Sequence, residues 1–245
     1  MTLRTGIKNI LDGLTHSFGI KIERHFGNEL GLKQIDKVFK EQGINLLLDV
    51  GANTGQYAMS MFKLGYKGKI ISFEPLNDAY NILKNNQSKY GNWQVYERAA
   101  IGDYCGKTLI NISANSHSSS ILPISDAHTK AAPSAKYIGQ LETPIYTLDS
   151  VFSNIANTAD KVCLKIDTQG FEDKVLAGAA ESLKKITLLQ LELSLIPLYE
   201  GGKTIEWMMP YLKNLGFEPI LFLPGFIDRT TEQIQQLEAL FIKKN

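Results

Sequence analysis

Short apolar runs of strand length recur through the middle of the chain, most of them followed by a segment of helical periodicity. This alternation restricts the fold more than any other feature. The runs are LLLDV (46–50), KIISFE (69–74), WQVYERA (93–99), KVCLKID (161–167) and LLQLEL (188–193). The intervening YAMSMFKLG and LNDAYNILKNN place apolar residues, among them Met59, Phe62, Tyr80 and Leu83, on one helical face. FEDKVLAGAAESLKK reads as a further helix before 188–193. Strands and helices in this order, with short links, predict a mostly parallel sheet covered on both faces. After a helix at 204–214, which contains Pro210, the pattern changes. GFEPILFLP (216–224) and LEALFIKK (237–244) are two strands separated by a polar, turn-rich segment, and they pair as a terminal antiparallel hairpin. A sixth parallel strand is sought between 107 and 148, where LETPIYTLDSVF (141–152) offers an extended edge piece and a short helix.

Residues 1–43 read as an N-terminal helical extension, with amphipathic segments at 5–15 and 32–42, and residues 44–245 as one domain. The stretch 113–140, rich in Ser, Ala and Pro, is too long for an ordinary connection and reads as a loop insertion, either a cover for an active site, which its place after the third strand favours, or a decorative surface loop. At 245 residues and 44% hydrophobic, the chain can bury one sizeable core. A formal charge of +1, from 26 basic and 25 acidic residues, gives no electrostatic case for nucleic acid as partner. The two cysteines, Cys105 and Cys163, have no metal-ligand spacing and form no disulfide framework. MTLRTGIKNILDGLTHSFG lacks the continuous apolar stretch of a signal peptide, and no apolar run reaches spanning length, so the cytoplasm is the expected compartment. Oligomeric state is open.

The first strand runs into DVGANTG. Gly51 lets the backbone pass close to a ligand, and Gly55 relieves crowding at the start of the next helix. Asn53 and Thr54 bring polar atoms to the same helix start. The spacing is neither GxGxxG nor the GxxxxGK[ST] phosphate loop, which argues against NAD and ATP. Asp49 sits at the carboxyl end of its strand, where it can stay charged and accept a ligand N–H. Glu74 ends the second strand in ISFEP, positioned to take both hydroxyls of a ribose. A glycine turn followed by an acidic strand terminus reads as a nucleoside site; a tight turn with a helix cap is the plainer reading.

LLLDVGANTGQY, ISFEPLNDAYNILKNN, RAAIGDYCG, TLDSVF, LKIDTQGFEDKVLAGA and LLQLELS occur in this order over most of residues 46–194. In that order the chain resembles the FkbM-type family of S-adenosylmethionine-dependent methyltransferases. The resemblance implies a class I methyltransferase domain, a Rossmann-like three-layer α/β sandwich whose seven-stranded, mostly parallel sheet ends in an antiparallel strand. It also implies S-adenosylmethionine as methyl donor, an oxygen acceptor, and a sugar or polyketide-derived substrate. Carried onto this sequence, Asp49, Gly51, Asn53 and Gly55 border the methionine portion and Glu74 holds the ribose. Asn77 touches the adenosine side or caps a helix, and Ala100, with Ala99 and Ile101, meets adenine.

Transfer to an alcohol needs a positioned acceptor and a route for its proton. Asp167, at the end of the fourth strand, shares the crevice with Asp49 and Glu74, so it orients the acceptor hydroxyl or binds the methionine amino group. Glu172 caps the next helix, pairs with Lys165 or reaches substrate. Glu192 is a second strand-end acid. His117, in NSHSSS, is the base candidate outside the strand ends. His16, His25 and His128 have no comparable placement, and no metal set is assigned. The reading is an O-methyltransferase acting on a small polar, carbohydrate-like acceptor. Its alternatives are an N-methyltransferase with the same donor and a non-catalytic nucleoside-binding regulatory or assembly protein of the same fold.

Overall fold

The structure, a computed structural model, describes residues 27–244; the helix expected at 5–15, with His16 and His25, lies outside them. Helix α1 (Gly27–Gln42) leads into β1 (Leu46–Val50), α2 (Gln56–Lys63), β2 (Lys69–Phe73), α3 (Asn77–Gln87) and β3 (Trp93–Val95). β7 (Val162–Ile166) and β8 (Ile186–Ser194) follow further on, then α7 (Ile205–Asn214), β9 (Phe217–Pro224) and β10 (Gln236–Lys243). These strands form a seven-stranded sheet in the order β3-β2-β1-β7-β8-β10-β9. β10 alone runs antiparallel, to both β8 and β9. This is the expected three-layer α/β architecture with its antiparallel last strand.

Each face of the sheet carries its own core. On one side Leu47, Ile70, Cys163, Leu188 and Leu240 pack against Ile35 and Phe39 of α1, Ala58 and Met61 of α2, and Leu83 of α3. On the other, Leu48, Val50, Leu164, Ile166, Leu189 and Leu191 meet Val151 and Phe152 of α5 (Leu148–Ile155), Val175 and Leu176 of α6 (Glu172–Ala177), and Met208 and Leu212 of α7. Strands covered twice must be apolar on both faces, which is why the runs read as continuous rather than alternating. Burying each such side chain contributes about 1.5–3 kcal/mol.

Three expectations change. WQVYERA is not one strand: pairing with β2 ends at Val95, and Ala100–Gly102 (β4) leaves for a second sheet. That sheet has the order β4-β6-β5, with β5 spanning Gly106–Ser113 and β6 Tyr137–Thr147. The segment 107–148 therefore supplies no strand to the main sheet; the sixth parallel strand is β9. Within 113–140 the chain also forms helix α4 (Asp126–Ala131) and begins β6. FEDKVLAGAAESLKK is broken after Ala177, with Gly178 as the C-cap, where a Cβ would stand 1.9 Å from the Gly102 carbonyl oxygen. The chain turns there and continues as a single 3-10 turn, Ser182–Lys184.

Candidate functional site

The carboxyl ends of β1, β2 and β7 are tied together through backbone. Gly51 and Ala52 donate N–H to the Phe73 carbonyl at 3.1 and 3.0 Å, and Asp167 N–H donates to the Val50 carbonyl at 3.0 Å. Gly51 has φ +80, and a Cβ there would stand 1.9 Å from the Asp167 carbonyl oxygen. Both the dihedral and the close approach require glycine. The turn brings Asn53 over Glu74. Asn53 N–H donates to Oε2 of Glu74 at 2.7 Å, and Leu76 N–H to Oε1 at 2.8 Å. Glu74 is 3% exposed. Burial pushes its carboxyl up to about 7, against the pull of these two N–H groups. Each oxygen of an ionised carboxylate has a second acceptor position, left for a ligand.

These elements wall a cavity that opens to solvent. Of the expected residues, Gly51, Asn53, Glu74, Ala100, His117 and Asp167 line it, with Ala99 and Ile101 beside Ala100. Ser116, Ser119 and Ser120 bring the 113–140 segment to its edge. Asn53, Ser116 and Gln169 have φ of 48, 58 and 58. Three of the four left-handed non-glycine residues among the described residues thus line one cavity. Such conformations are uncommon, and they cluster where a site imposes them.

Four expected residues lie elsewhere. Asp49, fully buried within β1, does not line the cavity; its side chain stands 3.2 Å from Lys165 Nζ and takes a 3.4 Å hydrogen bond from Ser72 Oγ. Gly55 serves packing: it has φ +85, and a Cβ there would meet the Trp93 ring at 2.4 Å. Asn77 is the exposed first residue of α3. Glu192 faces an adjoining groove.

That groove runs between the sheet and helices α1 and α2. It shares Gly51, Gln56 and Asp167 with the cavity and is lined further by Tyr57, Lys165, Gln190, Glu192 and Glu238. Gln169 stands at the junction. Its amide donates to Asp167 Oδ1 at 2.7 Å and to Glu192 Oε2 at 2.9 Å, and its carbonyl oxygen accepts from the Tyr199 hydroxyl at 2.7 Å. Gln236 donates a second amide hydrogen bond to Glu192 at 2.8 Å. Burial, reinforced by Asp167 and Glu238, pushes the Glu192 carboxyl well above the usual range. Lys165 lies 3.5 Å from Asp167 as well. Burial opposes its charge, but Asp49, Asp167 and Glu238 outweigh burial and hold the ammonium above its ordinary range. Glu172 neither pairs with Lys165 nor lines either space. Its Oε1 accepts from Thr168 and Gly170 N–H, at 2.9 and 3.1 Å, and so fixes the turn behind Asp167.

Tyr57, Gln190 and Glu238 line the groove but lie outside the motifs, and the KIDTQG motif gives Gln169 no role by itself. For Gln190 and Glu238 the signal is a polar residue every second position in otherwise apolar strands: Lys165 and Asp167, Gln190 and Glu192, Gln236 and Glu238. Among the described residues, no cluster of His, Cys, Asp and Glu is arranged to hold a metal ion, and no helix is long and apolar enough to cross a membrane.

The chain is similar to known methyltransferases. The 2-O-methyltransferase NoeI of Sinorhizobium fredii (strain NBRC 101917 / NGR234) is 26% identical over 189 residues, covering 75% of this chain and 76% of that protein. Among solved structures, magnesium protoporphyrin IX methyltransferase (ChlM) from Synechocystis PCC 6803 with bound SAM aligns with TM-score 0.47 at 10% identity, over 96% of this chain and 91% of that one. The ribosomal protein L11 methylase from Lactobacillus delbrueckii subsp. bulgaricus aligns with TM-score 0.46 at 10% identity, over 93% and 83%. Likenesses this distant decide nothing about the acceptor. Residues 49–219, which span the glycine turn, Glu74, the Asp167 turn and β8, match the methyltransferase FkbM domain. The chain belongs to that family and is an S-adenosylmethionine-dependent methyltransferase.

Proposed function

We propose that the chain is an O-methyltransferase that methylates a hydroxyl of a small polar acceptor, a sugar or glycoconjugate precursor, in the cytoplasm. The observation that carries this reading is the meeting of two spaces at Gly51, Gln56 and Asp167: a turn-walled cavity holding Glu74 and a separate polar groove. A transferase for two unlike molecules needs such a junction. The relative named as a 2-O-methyltransferase supports oxygen as the accepting atom.

In this reading Glu74 accepts the ribose hydroxyls with the acceptor positions its backbone partners leave open. Gly51 and Asn53 border the methionine portion, and Ala100 with its neighbours offers apolar surface to adenine. When bound, S-adenosylmethionine supplies a methyl carbon on a positively charged sulfur; the acceptor oxygen forms the new C–O bond as the C–S bond breaks and its electron pair stays on sulfur. The hydroxyl proton must leave as that oxygen attacks. Asp167 borders both spaces, and its side chain is 34% exposed, so it can orient the hydroxyl and take this proton before passing it to water. Gln169 holds one of its oxygens in place. His117 lines the same cavity, with Nδ1 3.5 Å from Gln56 Nε2, and is the second proton acceptor in this reading. Glu192 lies behind Gln169 and acts on the acceptor side.

The test is incubation of the protein and methyl-labelled donor with a fractionated cell extract, followed by mass and NMR identification of the labelled product. An O-methyl ether on a sugar is expected. An N-methyl product would replace the acceptor assignment, and tight S-adenosylhomocysteine binding without transfer to any fraction would favour the non-catalytic alternative.

A further inference from the structure

The sheet face that looks toward α1 and α2 changes character at one level across four strands. Leu47, Cys163, Leu188 and Leu240 are apolar and sit in the core. One step further on the same face, β1 gives Asp49, β7 gives Lys165 and then Asp167, β8 gives Gln190 and then Glu192, and β10 gives Glu238. Register aligns them: Asp49 is opposite Lys165, Lys165 opposite Gln190, and Glu192 opposite Glu238. Polar groups in a sheet interior are costly unless each is partnered, and like charges directly opposite destabilise a strand pair. Glu192 and Glu238 stand directly opposite each other, and amide groups of Gln169, Gln236 and Gln190 partner them. An apolar pair would close the same face without such a network.

We propose that this groove is the acceptor subsite and that it selects a hydroxyl- or ammonium-bearing molecule while rejecting anions. The inference rests on the methyl-transfer reading above and adds to it the charge class of the acceptor. The acids alone do not make the site. The groove makes it, because it opens onto the donor cavity at Gly51, Gln56 and Asp167, so that a molecule seated there reaches the reacting carbon. Among the residues lining it, Lys165 is the one cation, and it is already placed between Asp49 and Asp167. Asp167, Glu192 and Glu238 remain on the ligand side with one ammonium between them. Glu192 and Glu238 already accept hydrogen bonds from the Gln169, Gln236 and Gln190 amides, and the acceptor positions that remain call for donors on the bound molecule. A phosphate or carboxylate would bring negative charge to a partly buried wall whose one ammonium is already paired with Asp49 and Asp167. The opposite wall, with Leu32 and Leu223, is apolar, and Tyr57 closes the floor through its hydrogen bond to Gln190, which donates in turn to Glu238 at 2.7 Å. A polar wall of acceptors facing an apolar one suits a sugar ring, which presents hydroxyls at its edge and C–H groups on its face. A nucleotide-linked or phosphorylated sugar does not fit this balance; a neutral sugar or an amino sugar does.

The test separates a cell extract by ion exchange into anionic, neutral and cationic pools and supplies each with the full-length protein and methyl-labelled S-adenosylmethionine. Label is expected in the neutral or the cationic pool. Ser60, which lines the groove and not the donor cavity, is replaced by cysteine in a Cys105→Ser background, since Cys105 is the exposed native thiol and Cys163 is buried. Modifying Ser60→Cys with a bulky maleimide should lower transfer roughly tenfold or more against the same protein before modification, with S-adenosylhomocysteine affinity held within roughly threefold. Glu238→Gln should raise the acceptor KM roughly tenfold with a smaller change in kcat. Label confined to the anionic pool, or transfer indifferent to the maleimide while S-adenosylhomocysteine still binds, overturns the groove assignment and leaves the donor cavity standing. Loss of S-adenosylhomocysteine binding in the unmodified protein would instead remove the donor reading beneath it.

Discussion

The cavity proposed for the donor and the groove proposed for the acceptor meet along one short border, yet they are built by different means. The cavity is shaped by backbone: a glycine at φ +80, three left-handed residues, and a carboxylate held by two N–H groups. The groove is shaped by side chains that four strands present to one face. A site made of backbone cannot be retuned by exchanging side chains, whereas a site made of strand side chains can change without moving the sheet. The contrast fits the proposal of a fixed donor in the first and a variable acceptor in the second. Substitutions should therefore separate into those that destroy the first and those that adjust the second.

Gly51→Ala should have the largest effect. Its Cβ would sit 1.9 Å from a backbone oxygen that β7 fixes, and its dihedral is unfavourable to alanine. A loss of about 2 kcal/mol or more in stability, together with donor binding, is expected. A thermal midpoint near that of the parent would refute the close approach. Asp167→Asn, on the border, should lower kcat roughly 100-fold or more while donor affinity changes little. Equal losses in donor affinity and turnover would move Asp167 into the donor site alone. Glu74→Ala should weaken S-adenosylhomocysteine by about 2 kcal/mol, or roughly 30-fold, as expected for hydrogen bonds to a charged group. Unchanged affinity by calorimetry would reject its ribose role. His117→Ala, at the rim, should cost roughly tenfold in kcat and alter the pH–rate profile. If neither changes, the imidazole is a solvated side chain of the 113–140 segment.

The same contrast explains what the sequence made legible. Motifs contiguous in the chain, DVGANTG, FEP and KIDTQG, identify the cavity, because a turn and its residues are local. Six of the expected residues meet there. Asp49 and Glu192 were expected at strand ends, but the side a strand residue faces follows from a period of two. Asp49 shares its face with Lys165, and Glu192 its face with Gln190, which turns both away from the donor cavity. The groove was written in the same strands as Lys165-x-Asp167, Gln190-x-Glu192 and Gln236-x-Glu238, and it becomes visible only when register sets these pairs side by side. The β4-β6-β5 sheet was illegible for a related reason. β5 and β6 pair across the whole of the 113–140 segment, and no local pattern carries a contact of that range.

The smallest expected effect separates the two roles of Glu74, holding the turn and holding a ribose. Burial pushes the carboxyls of both Glu74 and Glu172 up to about 7 from 4.5. The folded chain therefore binds more protons than the unfolded chain between those values, and its stability should fall as pH rises through that window. Ribose recognition has the opposite sign. Only the ionised carboxylate offers all its acceptor positions, so S-adenosylhomocysteine affinity should rise a few-fold from about pH 6 to about pH 8, with protons released on binding near neutrality. Glu172→Gln should remove part of the stability slope and leave the affinity slope intact, since Glu172 lines neither space. Glu74→Gln should diminish both. Calorimetry in two buffers of different ionisation enthalpy measures the proton release directly. A flat affinity with no proton release, alongside a normal stability slope, would mean that Glu74 braces the turn and that the ribose is held elsewhere.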